Sequence, residues 1–195
     1  MKMNLPNKLS VVRLCMVPVF VIVMMISDAL WANLVGCALF GLAAFTDMLD
    51  GKIARKYNLI TDFGKFLDPL ADKFMVIGAL LVIVYRYANI RPVFIWATII
   101  VIFRELAVTS IRLVASSSSG IVIAAKYIGK IKTVTQIVCI STVIIEPLLY
   151  RIAPLSFLSA YMPLTYLTTA TMTVFTIWSG IDYLASYWKY LDPQK

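Results

Sequence analysis

At 195 residues, 61% hydrophobic and with a mean hydropathy of +0.87, the chain is too apolar for a water-soluble domain and too short for more than one membrane domain. The absence of histidine excludes the usual Ser/His and Cys/His nucleophile schemes and leaves proton transfer to a carboxylate, lysine, tyrosine or water. A net charge of +8 without an aromatic-interleaved basic stripe suits an anionic membrane surface or an anionic substrate, and argues against nucleic acid.

Apolar runs of about 20 residues, the length a membrane-spanning helix requires, recur along the chain. A polar lead containing Pro6 precedes span 1, from Leu9 to about Ile26. That run is long, holds Pro18 and lacks a small-residue cleavage site, so it is expected to remain as a span and not to act as a signal peptide. Ser27, Asp28 and Asn33 bracket a turn before span 2, about Leu34 to Lys56, in which Gly36, Ala38, Gly41 and Ala44 would let neighbouring helices approach closely. A loop from Tyr57 to Phe63 leads to span 3, about Leu67 to Tyr85. Pro69 either lies in its first turn, where a missing N–H is tolerated, or kinks a helix that began at Thr61 or Asp62.

Span 4, about Pro92 to Ala115, is expected to end at the serine-rich breaker Ser116 to Gly120. Lys126, Lys130 and Lys132 open span 5, which runs to about Tyr150; Pro154 and Pro163 mark the next turn, and span 6 covers about Leu164 to Trp188. Cys15, Cys37 and Cys139 fall inside spans without metal-binding spacing and read as apolar packing residues. The sum is an all-α polytopic membrane protein of six helices, a single domain over residues 1–195. If both termini are cytoplasmic, all but Arg86, Arg91 and Arg151 of the 18 lysines and arginines lie on that side, as the positive-inside rule requires.

Half of the ten acids fall in one stretch: Asp47, Asp50, Asp62, Asp68 and Asp72. Asp47 and Asp50 are three residues apart, with Gly51 and Ala54 following at helical spacing, and Asp68 and Asp72 are four apart, so each pair shares one helix face. Two helices crossing here would converge four carboxylates on one point, where repulsion is intolerable without intervening cations. The stretch therefore reads as a divalent-metal site at the cytoplasmic ends of spans 2 and 3. Taken singly, such acids could be interfacial partners of Lys52, Arg55, Lys65 and Lys73, but acids facing a bundle interior are functional by default. Asp62 lies outside the spacing and reads as a loop or helix-start residue.

The pattern Asp47, Asp50-Gly51, Ala54-Arg55, Gly64, Asp68 and Asp72 matches at every fixed position the signature of the CDP-alcohol phosphotransferase family, which it resembles. The resemblance implies displacement of CMP from a CDP-activated group with two Mg²⁺ or Mn²⁺ ions, and a homodimer. It implies that Asp47, Asp50 and Asp68 bind metal and that Asp72 is the general base and a further ligand. Gly51, Ala54 and Gly64 would leave room for the nucleotide, and the Arg55 fork suits phosphate oxygens.

Arg104, Arg112, Lys126, Lys130 and Lys132 form a second basic cluster whose acidic company is Glu105. It suits either an acceptor that carries its own phosphate or a topology-setting contact with anionic lipid. The segments FRELAVTSIR and GKIKTVTQ, with Gly129, Thr133 and Gln136, resemble those of bacterial phosphatidylglycerophosphate synthases. So does the opening LPNKLSVVR, where Pro6, Asn7 and Ser10 would lie against the nucleotide; Ser10 stands where threonine is commoner. This implies CDP-diacylglycerol as donor, sn-glycerol 3-phosphate as acceptor and a multi-pass location in the cell membrane. The alternatives are the same chemistry on inositol phosphate or serine and, more remotely, a small cation transporter. Asp182 reads as a packing or capping residue, and Trp178, Tyr183, Tyr187, Trp188 and Tyr190 read as an interfacial aromatic belt.

Overall fold

The computed structural model describes residues 3–57, 61–119, 127–152 and 161–187, and for residues 54, 55, 65, 113–119, 151 and 152 it describes the backbone alone. Six helices account for nearly all of these: α1 Leu5–Ile26, α2 Leu30–Lys56, α3 Asp62–Arg86, α4 Arg91–Ser119, α5 Tyr127–Ile152 and α6 Pro163–Tyr187. Four are long and apolar enough to cross a membrane, over Leu5–Ile26, Leu30–Ile53, Arg91–Arg112 and Tyr127–Tyr150. In α3 the apolar run is shortened by Asp68, Asp72 and Lys73 at one end and Arg86 at the other. In α6 the hydropathy is lowered by threonines, several of which satisfy their hydroxyls internally: Thr168, Thr171 and Thr173 donate to the carbonyls of Leu164, Leu167 and Thr169 at 2.8–2.9 Å.

The helices form two groups. α1 packs along both α2 and α3, and α6 packs along both α4 and α5, while α2 and α5 join the groups. The core between them includes Phe20, Phe40, Ala79, Ile83, Phe94, Val101, Ile140 and Ile144, and large apolar side chains such as Trp96 and Phe103 face outward, as lipid-facing residues do.

Local chemistry explains where the ends differ from the sequence expectation. α1 begins at Leu5, because Asn4 caps it by accepting from the Asn7 N–H and Pro6 fits the first turn. α2 begins before Asn33, which is no turn residue: it is buried and donates from Nδ2 to the Ile144 carbonyl of α5 at 3.1 Å. α3 takes the earlier start, with Thr61 as its cap accepting from the Gly64 N–H at 3.0 Å and Asp62 in the first turn, so Pro69 lies inside the helix. α4 continues through Ser116–Ser119, since serine alone costs a helix little without a proline or glycine to stop it. Of the small residues on α2, Gly36 meets Met24 of α1, whereas Gly41 faces open space and Ala38 is exposed. Cys139 is buried and Cys37 half-buried, but Cys15 is exposed and packs into no core. Lys126, Pro154, Trp188 and Tyr190 lie outside the described residues.

Candidate active site

Asn7, Ser10, Arg13 and Val17 recur at helical spacing on α1 and all are buried, so one face of this helix is pressed against α2 and α3. The consequence at the acidic stretch is the principal finding. Arg13, 1% exposed, donates from Nη1 to Asp47 Oδ1 at 2.7 Å and to Asp72 Oδ1 at 2.5 Å, and from Nη2 to Asp50. Ser10 Oγ donates to Asp68 Oδ1 at 2.5 Å. The four aspartates are thus brought beside α1, three of them on Arg13 and one on Ser10. The centrality of Arg13 was not legible in the sequence, where it counted as a cytoplasmic basic residue and as part of the LPNKLSVVR opening expected on the nucleotide side, with no tie to the aspartates.

The Arg13 guanidinium balances the charge of one of these four carboxylates, leaving a surplus of negative charge among them. Asp50 is buried, while the side chains of Asp47 and Asp72 remain 46% and 48% exposed. Among the described residues no three acidic groups close round a common point, because the guanidinium stands between them. The donor chemistry nevertheless fits Mg²⁺ or Mn²⁺: hard anionic oxygens from two helices stand round one guanidinium, and two of the carboxylates are half-exposed.

The opening residues act first on α3. Asn7 Nδ2 donates to Thr61 Oγ1 at 3.0 Å, the Thr61 hydroxyl donates to Asn7 Oδ1 at 3.1 Å, and a Cβ added at Gly64 would lie 2.8 Å from that same Asn7 oxygen. The close approach that requires glycine at position 64 is therefore to Asn7. Pro6 is buried, and its carbonyl, 3.1 Å from Ser10 Oγ, is the second acceptor within reach of the hydroxyl that Asp68 holds. Gly51 is half-buried beside Asp50, and the side chains of Ala54 and Arg55 lie outside the described residues.

A cavity of about 310 Å³ adjoins this centre. Asp72 and Lys73 line one wall; Arg104 and Arg112 of α4, Lys130 and Lys132 of α5 and Tyr183 of α6 line the others. The basic residues in it are not equivalent. Lys132 is buried and paired with Glu105, which also accepts from Arg104 Nη1 at 3.2 Å, whereas Arg112 and Lys130 are exposed to the cavity. The expectation of a nearly unpaired cluster is corrected for Lys132 and Arg104. Tyr183 is corrected too: it belongs to no interfacial belt but is fully buried, its hydroxyl accepting from Arg112 Nη2 at 2.5 Å. Only its place one turn from Ser179 on a threonine-rich helix hinted at a polar role.

The family model described as CDP-alcohol phosphatidyltransferase matches residues 3–179, a span that takes in the acidic centre and most of the cavity. The chain belongs to the CDP-alcohol phosphatidyltransferase family. Members of this family generally depend on divalent cations, in keeping with the surplus of carboxylate charge here. Among relatives, the protein from Bacillus subtilis (strain 168) named "CDP-diacylglycerol--glycerol-3-phosphate 3-phosphatidyltransferase" is 39% identical over 96% of this chain and 97% of its own length. Proteins of the same name from Salmonella paratyphi A and Rickettsia felis are 33% and 34% identical, covering 95% and 73% of this chain and 96% and 75% of their own lengths.

Proposed function

We propose that this membrane protein transfers the phosphatidyl group of CDP-diacylglycerol to sn-glycerol 3-phosphate, giving phosphatidylglycerophosphate and CMP. The relatives' shared name supports the reaction. The observation that carries the choice of acceptor is the cavity in which Asp72 faces the exposed Arg112 and Lys130: one wall suits a hydroxyl and the other a phosphate.

In this reading Arg112 and Lys130 bind the phosphate of the acceptor, with Lys73 and Arg104 nearby, Lys132 anchoring Glu105, and Lys126 as a further candidate. The free primary hydroxyl then points at Asp72. Its oxygen attacks the phosphorus on the diacylglycerol side, a new P–O bond forms, the bond to the CMP phosphate breaks, and the hydroxyl proton passes to the Asp72 carboxylate. Asp47, Asp50, Asp68 and Asp72 would hold two divalent cations, whose chemistry is to neutralise the diphosphate and the charge growing on the leaving CMP. Gly51, Ala54 and Arg55 are assigned to the nucleotide from their places in the signature, and Pro6, Asn7 and Ser10 shape that side through Thr61, Gly64 and Asp68. We take the chain as a single domain whose six helices all cross the cell membrane with both termini and the site cytoplasmic, and whose assembly is a homodimer. The cation-pathway alternative finds no support at the far end of the bundle, where the buried Glu146 is occupied by a helix terminus.

The test is CMP release by purified protein given CDP-diacylglycerol and Mg²⁺ or Mn²⁺, with glycerol 3-phosphate, inositol phosphate and serine as parallel acceptors. Metal-dependent release with glycerol 3-phosphate alone is expected. Release with serine would overturn the phosphate-binding role of the cavity, and no release with any acceptor from folded protein would overturn the reaction.

A further inference from the structure

Two arginines of α4 line the same cavity, and like charges so close together repel unless something holds them. Glu105 holds one end of the Arg104 guanidinium, and further contacts to both arginines come from α6. The Tyr183 ring lies against both guanidiniums, 5.6 Å from its centroid to Arg104 and 5.1 Å to Arg112. Its hydroxyl accepts from Arg112 Nη2, and Ser179 Oγ, one turn earlier on the same face, accepts from Arg104 Nη2, each at 2.5 Å. Both α6 residues are fully buried. The ring is braced in turn by Tyr187, with centroids 5.8 Å apart, and glycines flank the assembly. A Cβ at Gly180 would come within 3.4 Å of Arg104 Cγ, and one at Gly129 within 3.9 Å of both the Tyr183 ring and Arg104.

We infer that Tyr183 and Ser179 are positioning residues for the acceptor phosphate, holding Arg112 and Arg104 oriented toward the cavity before the acceptor arrives. The inference rests on the reading above that this cavity takes a phosphorylated alcohol. The negative face of the ring offsets part of the repulsion between the two cations, and the hydroxyls fix guanidinium planes that would otherwise turn freely. An arginine already fixed loses less side-chain freedom when the phosphate binds, so the benefit falls on acceptor affinity. The contacts that carry this role are to Arg104 and Arg112 of α4 and to Tyr187 of α6, none of them a residue of the acidic centre. The nucleotide side should therefore not sense them.

The experiment measures KM for glycerol 3-phosphate and for CDP-diacylglycerol separately in Tyr183→Phe, Ser179→Ala and Arg112→Ala. Tyr183→Phe removes one charge-assisted hydrogen bond and is expected to raise the acceptor KM about tenfold. Its kcat and its KM for CDP-diacylglycerol should stay within about twofold of the parent. Ser179→Ala removes the smaller group, is expected to give a rise of about threefold in the same parameter, and serves as the readout if Tyr183→Phe does not fold. Unchanged acceptor KM in Tyr183→Phe and Ser179→Ala, alongside a large rise in Arg112→Ala, overturns the positioning role and leaves the cavity assignment standing. An unchanged acceptor KM in Arg112→Ala overturns the cavity assignment itself. A fall in kcat with both KM values disturbed together marks Tyr183 as merely structural and also overturns the inference.

Discussion

Carboxylates stand at both ends of this bundle, and the two ends meet the charge differently. Glu146, fully buried on α5, accepts from the Tyr150 hydroxyl at 2.6 Å and from the backbone N–H groups of Leu164 and Thr165 at 2.9 and 2.7 Å. These amides open α6, just after Met162 with its left-handed φ of 44° and Pro163 at the first helical position. Both carboxylate oxygens are thus satisfied by neutral donors at the positive end of a helix dipole. At the other end, Asp47, Asp50 and Asp72 share one arginine and Asp68 has a serine hydroxyl. One carboxylate is saturated by the fold and holds a helix in place; the other four keep charge in reserve, which is what a site for cations requires.

The sharpest way to break this comparison is to remove charge from the acidic centre. Asp72→Asn and Asp68→Asn are each expected to lower CMP release by about a thousandfold or more, the scale on which groups that act on the developing charge matter. Thermal stability should hold or rise, because repulsion is relieved; a CMP-release assay beside a melting curve checks both. Full activity in both variants would remove the aspartates from the mechanism.

Arg13→Gln tests the shared cation. Without divalent ions and with chelator present, the variant should be about 3 kcal/mol less stable than the parent, the scale of breaking a buried pair from one side. Adding Mn²⁺ should recover most of that difference, since an ion can take over the work of the guanidinium. Melting curves with and without Mn²⁺ read this directly, and a loss that Mn²⁺ fails to restore would make Arg13 an ordinary packing residue.

Glu146→Gln gives the smallest effect. The amide retains one carbonyl oxygen for the α6 amides but loses the second acceptor, so a cost of about 1–2 kcal/mol in thermal stability is expected, independent of Mn²⁺ and with both KM values unchanged. Dependence of that cost on Mn²⁺ would erase the distinction between the two ends.

The acidic centre was legible in the sequence because its logic is local. Aspartates three and four residues apart share a helix face whatever the rest of the chain does, and the loop between the pairs is short enough to make the two helices neighbours. The partners were not legible. Arg13 lies 34 residues from Asp47 and 59 from Asp72, and its place in the opening segment says nothing of the aspartates it joins. Lys132 and Glu105 are 27 apart, and Arg112 and Tyr183 are 71 apart. Asn33 misled for a related reason: an amide beside a turn reads as a turn former until a carbonyl of another helix claims it.

Composition and periodicity therefore determined that the chain is helical and bound for a membrane, and the spacing of its aspartates determined which of them share a helix face, because both follow from interactions within a turn or two. Which cation sits among those aspartates, which basic residues remain open in the cavity and which tyrosine faces inward were decided only when α1 lay between α2 and α3 and α6 lay against α4 and α5. Charge acts through space, and which charges are close in space is a property of the packed bundle.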